Sequence, residues 1–371
     1  MKHSRYLLTL AVLAALCGCQ QKNAQQDLAA TGQQQITADV PGTNARKMSF
    51  MPKASGNPYE LLVVMGNAQW ERPVGNALFE VLDTDLPGVA QGERQFRISR
   101  IDPKSYDKKY KIFRNILLTD IQAGVYSSTK IKFVRDLYSR GQIIVTLQSP
   151  SESELAEFLG SHGDEVLALF NKSEINRQVQ FLQGKHNPLV SEHVSKTFGC
   201  DVWVPVELNK YKYGENFFWC GTNTGSKDRN IVIYAYPYTD AETFTLDYYV
   251  HKRDSVMKAN IPGGPEGSYM MTQDGLCNVE DITVKGEYAQ QARGLWRVEG
   301  DHMGGPFVAH SRVDVPNRRV VVIEGFVYAP ESLKRNLIRS MEATLYTLRL
   351  PNEQNIDNYR FGLDEVDIIP E

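Results

Sequence analysis

Hydrophobic and polar positions divide the chain into three stretches with different periodicities. At the start, the cationic Met1-Lys2-His3-Ser4-Arg5 leads into an uncharged run from Tyr6 to Leu16. That run is about eleven residues, roughly half of the ~20 that a membrane-spanning helix needs, so it reads as the apolar segment of an export signal. Residues 20–46 follow, rich in Gln, Ala and Asn, with Gln20-Gln21-Lys22-Asn23 and Gln33-Gln34-Gln35 and almost nothing apolar to bury. A stretch of that kind cannot offset the entropy of ordering and is expected to be a tether without structure of its own.

From Asn57 onward the apolar positions come in blocks. The run from Tyr59 to Met65 ends at Gly66 and predicts a buried strand. From Pro73, Val74, Leu78, Val81 and Leu82 recur at helical spacing until Pro87-Gly88 stops them. Four more strands are predicted at 96–101, where apolar and polar residues alternate, and at 115–119, 130–134 and 142–147. Ser151, with Glu154 three residues later, forms a capping box that opens a helical region running through Leu155, Phe158, Leu159, Val166, Leu167, Phe170, Ile175, Val179 and Leu182 to about Gly184. An amphipathic piece covers 189–198. Beyond it, strands are predicted at 202–204, 217–219 and 231–236, a helix over 241–257, and strands at 282–288, 293–299, 307–313 and 319–328. A last helix is predicted over 333–350.

These blocks define an α+β protein of two domains, each a largely antiparallel sheet packed with helices, joined by a helical linker. The expected organisation is a signal peptide at 1–18, a tether at 19–50, a first domain at 51–150, a linker at 151–199 and a second domain at 200–371.

The export signal ends in Leu16-Cys17-Gly18-Cys19, which resembles the lipobox of bacterial lipoproteins. The resemblance implies cleavage before Cys19 and lipid on its thiol, a multi-chain anchor that holds a protein stably at a membrane. The other reading is an ordinary signal peptide and a plain cysteine. Removal of residues 1–18 leaves 39 basic against 44 acidic residues, an acidic balance that argues against nucleic acid as a partner. Cys200, Cys220 and Cys277 remain in an oxidising compartment. Cys200 and Cys220 flank a short segment and are the candidate disulfide pair; three buried unpaired thiols are the alternative. No Cys-x-x-Cys or His/Cys spacing suits a metal.

The residues from Pro52 to Val64, with Trp70, Gly75, Phe96-Arg97-Ile98 and Arg114-Asn115-Ile116-Leu117, resemble a lipoprotein family of Bacteroidota that is known as a domain of unknown function. The closing unit Gly325 to Glu331 and the helix after it are similar to the end of PsbP-like and Mog1-like α/β/α sandwiches, a resemblance that implies binding or assembly. No run of acids follows Cys19, the pattern that sends some Bacteroidota lipoproteins to the cell surface. An outer-membrane anchor facing the periplasm is therefore expected.

Candidate chemistry is sparse. His302, with Glu299, Asp301 and His310 nearby, could serve a metal or acid–base role, or simply flank the turn at Gly304-Gly305-Pro306. Trp219 and Trp296, with Trp203 and the tyrosines at 211, 213, 234, 236 and 238, could line a groove or pack a core. Arg114 could clamp a carboxylate or phosphate, or anchor a loop. No Walker, G-x-G-x-x-G or G-x-S-x-G pattern is present. The expectation is a non-enzymatic envelope protein without cofactor, which binds an envelope protein or glycan or assists the assembly of an envelope component. The alternative is a cell-wall or glycan hydrolase with its site in second-domain loops.

Overall fold

The computed structural model describes residues 50–353. Cys19, the signal peptide and the tether up to residue 49 lie outside them. Five strands build the first sheet: β1 (Glu60–Val64), β2 (Arg97–Ile101), β3 (Asn115–Ile121), β4 (Lys130–Arg135) and β5 (Ile143–Ser149). Helices α1 (Asn67–Trp70) and α2 (Pro73–Leu82) separate β1 from β2, α3 (Lys108–Lys111) precedes β3, and α4 (Glu152–Gly184) follows β5.

The strand order is β2-β1-β3-β5-β4. Strand β1 is parallel to β2 and β3, and β3 is parallel to β5; β4 alone runs antiparallel. The expectation of a largely antiparallel first sheet is thus corrected. The apolar runs Leu61-Leu62-Val63-Val64, Ile116-Leu117 and Ile143-Ile144-Val145 are buried throughout, as strands covered on both faces must be. The alternation at 96–101 reports position, not direction: β2 is an edge strand whose Arg97 and Ser99 face solvent.

Helix α4 begins as its capping box requires, with the Ser151 Oγ accepting the Glu154 N–H at 3.2 Å. It then runs unbroken through Gly163, where a Cβ would come within 2.5 Å of Val81 on α2. Glycine there lets the two helices touch. The first half of α4 buries Leu155, Phe158, Leu159, Val166 and Phe170 against the first sheet's core. Its second half turns Ile175 and Val179 toward Val284, Ala289, Ala343 and Tyr346 of the second sheet and its helix. The segment expected as a linker is a strut shared by two cores.

After α5 (Pro188–Phe198), the second sheet contains β6 (Lys210–Gly214), β7 (Phe217–Gly221), β8 (Asp228–Pro237), β9 (Tyr269–Val284), β10 (Glu287–Glu299), β11 (Gly304–Asp314) and β12 (Arg319–Tyr328). Its order, β6-β7-β8-β12-β11-β10-β9, is antiparallel at every pairing. Helix α6 (Leu246–Asn260) covers one face through Tyr249 and Met257. On the other, α5 and α7 (Arg335–Leu345) pack Val190, Val194, Ile338, Met341 and Leu345 on Phe218, Ile231, Ile233, Val321 and Ile323.

The strand expected at 282–288 spans a hairpin turn instead. Lys285 and Gly286 both hold positive φ, 56° and 82°, the conformation of a two-residue turn that matches strand twist. Residues 202–204 form no strand, and the adjacent Asp201 makes a single bridge to Arg349.

Candidate functional site

The residues singled out from the sequence do not converge. Arg114 pairs with Glu174 at 2.7 Å, and Glu174 is fully buried on α4. The same carboxylate accepts the Tyr59 N–H at 3.2 Å and the Asn115 amide at 2.7 Å, and lies 3.1 Å from Arg177. Asn115 in turn accepts from Arg177 at 2.6 Å and donates to the Glu60 carbonyl at 2.8 Å. Burial draws the Arg177 guanidinium down to about 10, against the pull of Glu174. Arg114 and Asn115 therefore fasten α4 to the ends of β1 and β3. These contacts are the kind that the loop-anchor reading of Arg114 expects.

Trp296 is buried and donates to the Val327 carbonyl at 3.3 Å; Trp219 donates to Asn230 at 3.0 Å and is half-buried. Both pack with Tyr234 and Tyr236 in the core beneath α6. What the tyrosine-bearing face of β8 touches is that helix, through Tyr248 at 6.1 Å from Tyr236. A second buried pair holds α6 down: Arg253 grips Glu324 at 2.7 and 2.9 Å and donates to Thr272 at 3.0 Å.

His302 is exposed on the β10–β11 turn, its backbone N–H bonded to Asp301, while Glu299 pairs with Arg297. Cys200 and Cys220 are free, so the expected disulfide is not formed; both lie in the core shared with α5 and α7. Burial pushes the Cys200 thiol up to about 12 and the half-buried Cys277 to about 11. Among the described residues, no group of three or more His, Cys, Asp or Glu side chains gathers as a metal could use. No described helix is long and apolar enough to cross a membrane.

What the structure does assemble is a cleft of about 820 Å³ between α4, the β9–β10 hairpin and α7. That volume lies within the roughly 300–1,000 Å³ of small-ligand sites. Leu86, Pro87, Ile175, Ile282 and Tyr346 supply apolar wall. Its charged floor is Arg293, Arg339 and Glu342, the last two nearly fully buried. Arg293 pairs with Glu342. Burial would raise the Glu342 carboxyl, but Arg293 and Arg339 hold it below its ordinary value. Burial would lower Arg293, and Glu342 reverses that.

Gln95 joins the two sides, its Oε1 accepting from Asn171 on α4 at 2.8 Å and from Arg339 on α7 at 3.0 Å. The Asn171 Oδ1, Arg339 Nε and Glu342 Oε2 are buried without a hydrogen-bond partner among the described residues. Behind the floor, burial draws His310 down to about 3, so it is a neutral imidazole. The Gln291 amide donates to its Nε2 at 3.1 Å, which leaves the proton on Nδ1.

These cleft residues were invisible to periodicity, because charges on β10 and α7 read as solvated. The signal was the spacing of Arg339 and Glu342 within a helix whose Ile338, Met341, Ala343 and Leu345 are all apolar.

Fold and cleft together define a two-domain α+β protein with a charged seam between its halves. Residues 54–183 match the model of one domain of unknown function (DUF8532) and residues 187–347 that of another (DUF4837). All of helix α4 but its last residue thus falls within the first match, and the cleft takes walls from both. No curated protein matches the chain.

Proposed function

We propose that this protein is a bacterial envelope lipoprotein, anchored through Cys19 to the outer membrane on its periplasmic face, that binds an envelope protein or glycan in the cleft between its two domains. The observation that carries the binding role is the floor of that cleft, where the nearly fully buried Arg339 and Glu342, beside the half-buried Arg293, keep hydrogen-bonding atoms still to be satisfied. Such atoms are costly to leave unmet, by about 1–3 kcal/mol each, and a bound polar group removes the cost. The two shifts described above keep Arg293 and Glu342 charged near neutral pH. Groups held so firmly in one protonation state suit recognition rather than proton transfer. The PsbP-like and Mog1-like resemblance points the same way.

The export signal and the lipobox-like Cys17-Gly18-Cys19 support the location. A photo-crosslinking residue placed at Thr283, exposed on the cleft rim, tests the binding role in living cells. A discrete adduct is expected from Thr283 and not from Glu215, exposed in the β6–β7 turn. The same adduct pattern from both positions would overturn the cleft as the site.

A further inference from the structure

The outer face of the first sheet, opposite α4, is covered differently from every other sheet face. Its buried Leu62, Val64, Ile116 and Ile144 lie beneath the half-buried rings of Tyr106, Tyr110, Phe113 and Tyr138. Around those rings stand six cations: Lys53, Lys104, Lys108, Lys109 and Arg140, all exposed, and Lys111, half-buried. The Lys111 ammonium is 5.7 Å from the Tyr106 ring centre and 5.5 Å from that of Tyr138, and Lys109 is 5.7 Å from Tyr110. None of the six takes part in an ion pair among the described residues.

The carboxylates in these loops are Asp102, Asp107 and Asp136, and each is turned to backbone. Asp102 accepts the N–H groups of Lys104 and Asn67, Asp107 those of Lys109 and Tyr110, and Asp136 those of Gly141 and Gln142. The face therefore carries an excess of positive charge on a chain whose overall balance is acidic.

The chain coming from Cys19 joins the fold at this same face. Arg140 donates its N–H to the Pro52 carbonyl at 2.8 Å, and Ser55 donates to the Ile112 carbonyl, next to α3, at 2.9 Å. Some thirty residues separate Cys19 from Pro52. A lipid on Cys19 would thus raise the local concentration beside the bilayer of the face at which the chain enters the fold. Lysine and arginine with interleaved tyrosine is the chemistry of an anionic lipid–water interface.

We propose that the face formed by Lys53, residues 104–111 and Arg140 rests on anionic phospholipid headgroups of the membrane that carries Cys19, which orients the cleft. This rests on the lipid anchor proposed above. The test is amine footprinting by mass spectrometry of the full lipidated protein in vesicles of phosphatidylethanolamine with phosphatidylglycerol. Modification of Lys104, Lys108 and Lys109 is expected to slow by about fivefold relative to vesicles of phosphatidylcholine alone. Lys196 and Lys210 of the second domain should react alike in both, and high salt should abolish the difference. Equal rates at residues 104–111 in the two lipids, from a protein that stays with the vesicles, would overturn the docking face. Protection that needs an added envelope protein would overturn it in favour of an acidic protein partner. Loss of the protein from vesicles altogether would instead count against the anchor.

Discussion

Glu93 caps Lys334 across the seam between the two domains. The Glu93 carboxylate, in the loop after α2, accepts the Lys334 N–H at 2.8 and 3.1 Å and the Arg335 N–H at 2.8 Å. These are free N–H groups at the start of α7, where the helix dipole also favours a negative charge. Glu93 is nearly fully buried, so the contact is shielded from solvent and salt. The cap is supplied from the other domain, which ties the placement of α7, and with it Arg339 and Glu342, to the first domain.

Glu93→Ala should therefore lower stability by about 2 kcal/mol, and Glu93→Gln by less, since an amide oxygen still accepts. Urea titration read by near-ultraviolet circular dichroism checks this. A loss within a few tenths of a kcal/mol for Glu93→Ala would show that α7 does not depend on the cap.

Glu174 binds Arg114, Asn115, Arg177 and the backbone of Tyr59 at once. Removing its charge leaves two guanidinium groups largely out of water and short of a counter-ion. Glu174→Gln is expected to cost about 3–5 kcal/mol, measured by the same titrations, with the second domain's resonances in a heteronuclear NMR spectrum largely unmoved. A neutral result would return Arg114 to the pool of candidate ligand contacts.

His310 makes stability depend on acid. Its imidazole titrates near 6.5 when unfolded and about 3 when folded, so between those values the unfolded chain holds the extra proton. The stability from keeping it neutral is complete above the unfolded value and is lost as pH falls, by about 2 kcal/mol from pH 7.5 to 5. His310→Gln should flatten that part of the pH profile in urea titrations. Equal pH dependence in both proteins would contradict the burial of a neutral ring.

Cys200, Cys220 and Cys277 are all free, and burial holds the first two thiols well above their ordinary value. Alkylation in denaturant without reductant should modify all three in protein taken from the envelope, as counted by mass spectrometry. Two of the three failing to react would reveal a disulfide.

Much of this architecture is legible from residue order alone. The runs at 59–65, 115–119 and 142–147 become β1, β3 and β5, and Ser151 with Glu154 starts α4 where a capping box should. Strand direction was hidden because an edge strand such as β2 alternates whichever way its neighbour runs. The hairpin at Lys285-Gly286 was hidden because a lysine at positive φ leaves no mark in the sequence. The cleft was hidden for a deeper reason: its charges are spaced like a solvated surface, and tertiary packing alone buries them. Arg114-Asn115 was conspicuous, yet its partners Glu174 and Arg177 lie about sixty residues on, a separation that no local pattern spans.

The binding role at a membrane and the docking face both require a lipid on Cys19. Growth of the producing bacterium with an alkyne analogue of palmitate, followed by click detection of the purified protein, measures that directly. Wild-type protein should be labelled and fractionate with membranes, and Cys19→Ala should lose the label. Unlabelled wild-type protein recovered from the soluble fraction would contradict the anchor.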